Sequence, residues 1–128
     1  MKKSQILVVD DNPTNLKLVS DVLEFEGYQI LKAVDAEEAQ VVLVDNLPDL
    51  ILMDIALPGM DGLTLTRKLK HEDRTRNIRI VALTAFAMKG DDKKALDAGC
   101  DGYITKPIDT RALPRQVAEL LKSREANA

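Results

Sequence analysis

Short apolar runs and helically spaced apolar positions take turns along this chain. Ile6-Leu7-Val8-Val9 and Leu50-Ile51-Leu52-Met53 are continuous, and each ends in an aspartate, as for strands buried on both faces. Tyr28 to Ala33 alternates weakly and reads as a second strand. Ile78 to Leu83 reads as the fourth, ending at Thr84, and Gly102 to Thr105 as a short fifth, ending at Lys106-Pro107. Between them the spacing turns helical. Asn12-Pro13 reads as N-cap and first helical residue, and Leu16, Val19, Leu23 and Phe25 or Glu26 carry the apolar face to a stop at Gly27. Asp35 followed by Glu38 opens a second helix with Ala39, Val42 and Leu43 as its stripe. Pro58-Gly59-Met60-Asp61-Gly62 is a turn before a helix carrying Leu63, Leu65 and Leu69. A fourth helix is expected from about Ala87 to Ala98, stopped by Gly99. A fifth follows a cap at Asp109 or Thr110, with Pro114 in its first turn if Thr110 is the cap.

Strand and helix therefore alternate five times with no repeat or linker. This predicts one α/β domain over 1–128, with its core at about 5–122, a parallel sheet and helices on both faces. The chain has 128 residues, 45% of them hydrophobic but only 3% aromatic, so the core must be aliphatic. A net charge of -3 argues against general nucleic-acid binding, which needs a basic surface. The single cysteine, Cys100, forms no internal disulfide and fits a reducing compartment. No stretch is apolar enough for a signal peptide or a membrane span, so the expectation is a soluble, cytoplasmic protein with no membrane partner.

In such sheets ligands bind at the carboxyl ends of the strands. That rule gathers Asp10, Asp11, Asp54, Thr84 and Lys106 on one rim. Three crowded carboxylates repel one another, and a divalent cation relieves the repulsion; an all-oxygen site suits Mg²⁺, with Mn²⁺ as a substitute. A carboxylate left as nucleophile attacks phosphorus to give an acyl phosphate, and a lysine and a threonine hydroxyl steady the phosphoryl oxygens. No base for fast hydrolysis stands among these groups, which suits a switch better than an enzyme of high turnover.

These residues carry a resemblance. Ile6-Leu7-Val8-Val9-Asp10-Asp11-Asn12, Asp49 to Asp54, Leu57-Pro58-Gly59-Met60-Asp61-Gly62, Ala82-Leu83-Thr84-Ala85 and Lys106-Pro107, in that order, resemble the CheY-like receiver domains of two-component response regulators. The resemblance implies a (βα)5 doubly wound, flavodoxin/CheY-like fold with strand order 2-1-3-4-5. It implies Asp54 as phosphoacceptor and Asp10 and Asp11 at the metal, with the Ala56 backbone carbonyl as a further ligand. It also implies Thr84 as switch hydroxyl, Tyr103 as the aromatic that follows it, Lys106 on the phosphate and a cis Lys106-Pro107 bond. The implied partners are a histidine kinase or histidine phosphotransfer protein upstream and a protein target on the helix 4–strand 5–helix 5 face. The chain would act as a monomer or a phosphorylation-dependent dimer. The segment from Thr84 to Asp91 is similar to DivK-type single-domain regulators and to receivers of hybrid sensor kinases, so a free-standing regulator and an excised receiver both remain open. The residues after the fifth strand suffice for one helix, so the expectation is a receiver whose output is protein contact or phosphoryl relay.

Ala56 and Phe86, two residues after Asp54 and Thr84, are apolar and cannot orient a water; slow self-dephosphorylation is expected. A haloacid-dehalogenase-like phosphatase would need an aspartate where Ala56 stands, and a flavodoxin-like cofactor site would need a phosphate loop where Asp10-Asp11-Asn12-Pro13 is acidic. His71, the only histidine, reads as a solvent-facing residue, Tyr28 as core, Cys100 as packing near the fifth strand, and Lys89 to Lys94 as a solvated face.

Overall fold

A computed structural model of the chain describes residues 4–55, 57, 59–84 and 91–126, the first two residues of the fourth helix and the last four of the fifth as backbone only. The elements are β1 (Gln5–Val9), α1 (Pro13–Phe25), β2 (Gln29–Ala33), α2 (Ala36–Asp45), β3 (Leu50–Asp54), α3 (Gly62–His71), β4 (Arg79–Thr84), α4 (Asp91–Ala98), β5 (Gly102–Thr105) and α5 (Leu113–Ala126). The five strands are parallel, in the order β2-β1-β3-β4-β5, as the resemblance implied. Val8 pairs with Leu52, and Leu52 with Val81, so the central strands are in level register.

The continuous apolar runs are buried because both faces of the sheet are covered. On one face Leu7, Val9, Ile51 and Met53 pack with Ala39 and Leu43 of α2, Leu65 and Leu69 of α3 and Ala95 of α4. On the other, Ile6, Val8, Leu50 and Leu52 pack with Leu16, Val19 and Leu23 of α1 and Leu113 and Val117 of α5. Each such buried aliphatic side chain contributes roughly 1.5–3 kcal/mol of hydrophobic stabilisation.

Local chemistry sets the helix ends. Asn12 Oδ1 accepts from the Thr14 and Asn15 amides at 2.9 and 3.1 Å, and Pro13 follows in a position that needs no N–H. Asp35 and Asp61 cap α2 and α3 through the Glu38 and Thr64 amides. Gly27 ends α1 with φ 98°, a conformation that a side chain disfavours. Asp109, not Thr110, is the capping side chain before α5, accepting from the Arg111 and Ala112 amides, and Pro114 lies in the first turn in any case.

One reading changes. The apolar face of α1 does not extend to Phe25, which is 88% exposed. It follows Leu23 by two positions, a rotation of about 200° that carries it off the buried face. The expected start of the fourth helix at about Ala87 lies outside the described residues, as does Lys89; from Asp91 to Ala98 the helix is present. A network that no local pattern announces ties α3 to β4 and to the turn before β5. Lys70 Nζ donates to the Ile78 carbonyl at 2.8 Å and to Asp101 Oδ2 at 2.9 Å, and Asp101 Oδ2 also accepts from the Ile80 amide. No helix among the described residues is long and apolar enough to cross a membrane.

Candidate functional site

Parallel strands of matched register deliver their last residues to one rim. Asp10 follows β1 and is 1% exposed; Asp54 ends β3 and is 3% exposed; Asp11 beside Asp10 is exposed. Asp10 is held by its amide on the Ala33 carbonyl and by its Oδ1, which accepts from the Asn12 amide at 2.9 Å. The same turn that starts α1 thus orients the carboxylate.

Asp54 is fixed by what packs behind it. The Ile55 amide donates to the Leu83 carbonyl, and the Gly62 amide to the Ile55 carbonyl. A Cβ at position 62 would lie 2.2 Å from the Asp54 carbonyl oxygen, so α3 can begin against this backbone only with glycine. In the sequence Asp61-Gly62 stands as part of a turn and of the segment that carries the resemblance. The pair in fact caps α3 and admits its first turn to the site.

Lys106 comes from beyond β5. Its amide donates to the Thr84 carbonyl at 2.7 Å, and the Lys106-Pro107 bond is cis, as the resemblance implied. Its ammonium lies 3.0 Å from Asp54 Oδ2 and 3.3 Å from Asp10 Oδ2. The first contact is a hydrogen bond. The second is an ion pair without hydrogen-bond geometry, so among the described residues Asp10 Oδ2 is a buried acceptor with no hydrogen-bond donor.

Burial pushes the Asp10 carboxyl above its ordinary value. The Asn12 amide and the Lys106 charge pull it down, and the Asp54 charge adds to the rise. Burial also works against the Lys106 ammonium, but the hydrogen bond and charge of Asp54, with Asp10 behind them, outweigh it and raise the lysine.

Asp10, Asp11 and Asp54 offer three carboxylate oxygens within 4.8 Å of one another. Donors of oxygen alone, a buried carboxylate oxygen lacking a donor and a charge that one lysine only partly offsets together fit a hard divalent cation of the Mg²⁺ type. Ala56, expected to add its carbonyl, lies outside the described residues, as does Phe86.

Thr84 ends β4, buried, paired with Thr105 of β5. Tyr103 stands apart from the cluster. It is 46% exposed and borders a cleft of about 240 Å³ between β5 and α5, lined also by Ile104, Gln116, Glu119 and Leu120. His71 is exposed at the far end of α3, its Nδ1 2.6 Å from the Arg67 carbonyl oxygen, away from the rim. Cys100 is buried, its sulfur 4.0 Å from Thr66 Oγ1, and burial pushes its thiol up. Tyr28 is half-buried against the α1–α5 side of the core.

Comparison with known proteins agrees with this geometry. A family model for the response regulator receiver domain matches residues 6–118. The polar-differentiation response regulator DivK of Brucella anthropi is 44% identical over 123 residues, which span 96% of each chain. The structure of a CheY-like receiver domain protein from Methanospirillum hungatei superposes with TM-score 0.90 at 31% identity, covering 99% of this chain and 100% of that one. The receiver domain of a sensor histidine kinase from Pseudomonas aeruginosa superposes with TM-score 0.85 at 33% identity over 94% of this chain and 99% of its own, and holds a magnesium ion in its active-site cleft. With five parallel strands in this order and three carboxylates meeting a lysine at their ends, the chain belongs to the response regulator receiver family.

Proposed function

We propose that this receiver takes a phosphoryl group on Asp54 from a histidine kinase or a histidine phosphotransfer protein, with Mg²⁺ held by Asp10, Asp11 and Asp54. The observation that carries the reading is the buried Asp54 carboxylate, 3.0 Å from the Lys106 ammonium with two further carboxylates beside it. When bound, the cation supplies charge neutralisation for the phosphoryl oxygens. An Asp54 oxygen forms the new bond to phosphorus. The bond from phosphorus to the donor's imidazole nitrogen breaks, and its electron pair leaves with the imidazole. Lys106 then turns its ammonium from the carboxylate to the phosphoryl oxygens, and the Thr84 hydroxyl donates to one of them.

The signal is a population shift in which Thr84 and Tyr103 move inward and the α4–β5–α5 face changes for a protein target. Supporting this, Tyr103 starts exposed beside an open cleft. The side chains of Ala56 and Phe86 offer no polar atom to an attacking water, so the phosphoryl group is long-lived unless a partner removes it.

Thermal melts with the phosphoryl mimic beryllium fluoride test the site. Beryllium fluoride should raise the melting temperature further when Mg²⁺ is present and leave it unchanged without Mg²⁺, and Asp54→Asn should abolish that further rise. An equal rise in Asp54→Asn would place the ligand elsewhere and overturn the assignment.

A further inference from the structure

Every backbone donor in the first turn of α1 ends on one residue. Pro13 has no N–H, and the Thr14 and Asn15 amides donate to Asn12 Oδ1 at 2.9 and 3.1 Å. The Leu16 amide donates to the Asn12 carbonyl at 2.9 Å. Asn12 itself is exposed, with an extended backbone at φ -87° and ψ 112°.

The same residue faces the other way through its own amide. That N–H donates to Asp10 Oδ1 at 2.9 Å and leaves Oδ2 turned to the Lys106 ammonium, 3.3 Å away. Oδ2 is buried and, among the described residues, has no hydrogen-bond donor. The two oxygens of Asp10 thus have separate tasks: the backbone holds Oδ1, and Oδ2 is open to a cation. The link between helix and carboxylate is short. The bonds to Thr14, Asn15 and Leu16 pin residue 12 to α1. That settles the peptide plane before it, and with it the direction of the N–H that Asp10 accepts from.

We infer that Asn12 is a positioning residue of the metal site. Its side-chain oxygen closes the start of α1, and its backbone N–H then holds the Asp10 carboxylate in the orientation that takes a divalent cation. It acts through Asp10 and not as a ligand. The inference rests on the reading of Asp10 as a Mg²⁺ ligand proposed above. Hydrogen bonds to a ligating carboxylate set metal affinity nearly as strongly as the ligand does, and losing one costs about 10–100-fold.

Amide NMR titration of the full chain with Mg²⁺ alone tests this. Asn12→Ala removes the acceptor of two amides, and Mg²⁺ affinity should fall by on the order of tenfold. Asn12→Ser, whose hydroxyl caps in the same way, should keep the wild-type affinity. Gly27→Ala strains the far end of the same helix by forcing a side chain into φ 98°; it should lower the melting temperature and leave Mg²⁺ affinity unchanged. Phosphoryl uptake from acetyl phosphate separates positioning from chemistry: Asn12→Ala should be slow at limiting Mg²⁺ and match the wild type at saturating Mg²⁺. If Asn12→Ala does not fold, Asn12→Gly takes its place, because glycine caps with little loss of stability yet has no side-chain acceptor. Wild-type affinity in Asn12→Ala, or an equal loss in Gly27→Ala, overturns the inference and leaves Asn12 a helix cap. So does uptake by Asn12→Ala that stays slow at saturating Mg²⁺. A wild type that binds no Mg²⁺ overturns the metal reading itself, and the inference with it.

Discussion

The Lys106 ammonium donates a 3.0 Å hydrogen bond to Asp54 Oδ2 and lies 3.3 Å from Asp10 Oδ2, so one side chain is the internal counter-ion of two buried carboxylates. In the metal-free protein the lysine offsets charge that the cation and the phosphoryl group later share. Lys106→Met should therefore destabilise the metal-free fold by about 3 kcal/mol, the cost of removing the cation that two buried carboxylates share. Added Mg²⁺ should recover part of that loss. Urea unfolding with and without Mg²⁺ measures both, and equal stability of variant and wild type would contradict this role.

Asp10 gives the site a pH signature. Burial raises its folded carboxyl above the ordinary 3.8. A group raised on folding contributes stability below its unfolded value and loses it as pH rises through the folded one. The contribution of Asp10 to the stability of the metal-free protein should thus fall as pH climbs from strongly acid toward neutral, a trend read from the difference between wild type and an uncharged variant. Asp10→Asn keeps an oxygen to accept from the Asn12 amide but carries no charge. It should be more stable than the wild type at neutral pH by on the order of 1 kcal/mol, the gap closing in acid. Lys106 acts in another window. Its pKa is raised above 10.5, so its contribution is complete below that value and is lost only at higher pH. Urea titrations of wild type, Asp10→Asn and Lys106→Met across pH, without metal, would show both trends as differences from the wild type.

The close approach of α3 to the site is equally testable. With a Cβ 2.2 Å from the Asp54 carbonyl oxygen, Gly62→Ala forces backbone apart. A loss of about 1–3 kcal/mol is expected, with slower phosphoryl uptake at Asp54 as α3 and β3 separate. Unchanged stability and uptake would mean that the turn has room to relax.

Thr84→Ala separates chemistry from signal. The residue ends β4 beside the site rather than supplying the nucleophile. The variant should accept a phosphoryl group at about the wild-type rate, yet leave Tyr103 as exposed as it is now. Tyrosine fluorescence quenching before and after phosphorylation compares the two proteins. A normal loss of Tyr103 exposure in the variant would remove Thr84 from the switch.

Caps and strands were legible because they depend on near neighbours. Asn12-Pro13, Asp35 with Glu38, and the runs ending in Asp10 and Asp54 each carry their signal within a few positions. Their meeting on one rim follows from strand–helix alternation, whereas strand order came from resemblance, because alternation alone permits several orders. Phe25 misled because an apolar residue next to a helical stripe looks like part of it. Lys70 has no signal of its own among its near neighbours; its partner Asp101 is 31 positions away, and only the folded chain brings them within 2.9 Å. Likewise, the sequence pointed Lys106 at phosphate, but its pairing with two carboxylates depends on β1, β3 and β5 ending level.

The central claim, that Asp54 is the acceptor in a metal-dependent reaction, is met most directly by intact-mass measurement after incubation with acetyl phosphate. The account predicts a single phosphoryl adduct on the wild type that requires Mg²⁺ and is absent from Asp54→Asn. An adduct of equal yield on Asp54→Asn, or one formed equally without a divalent cation, would contradict it.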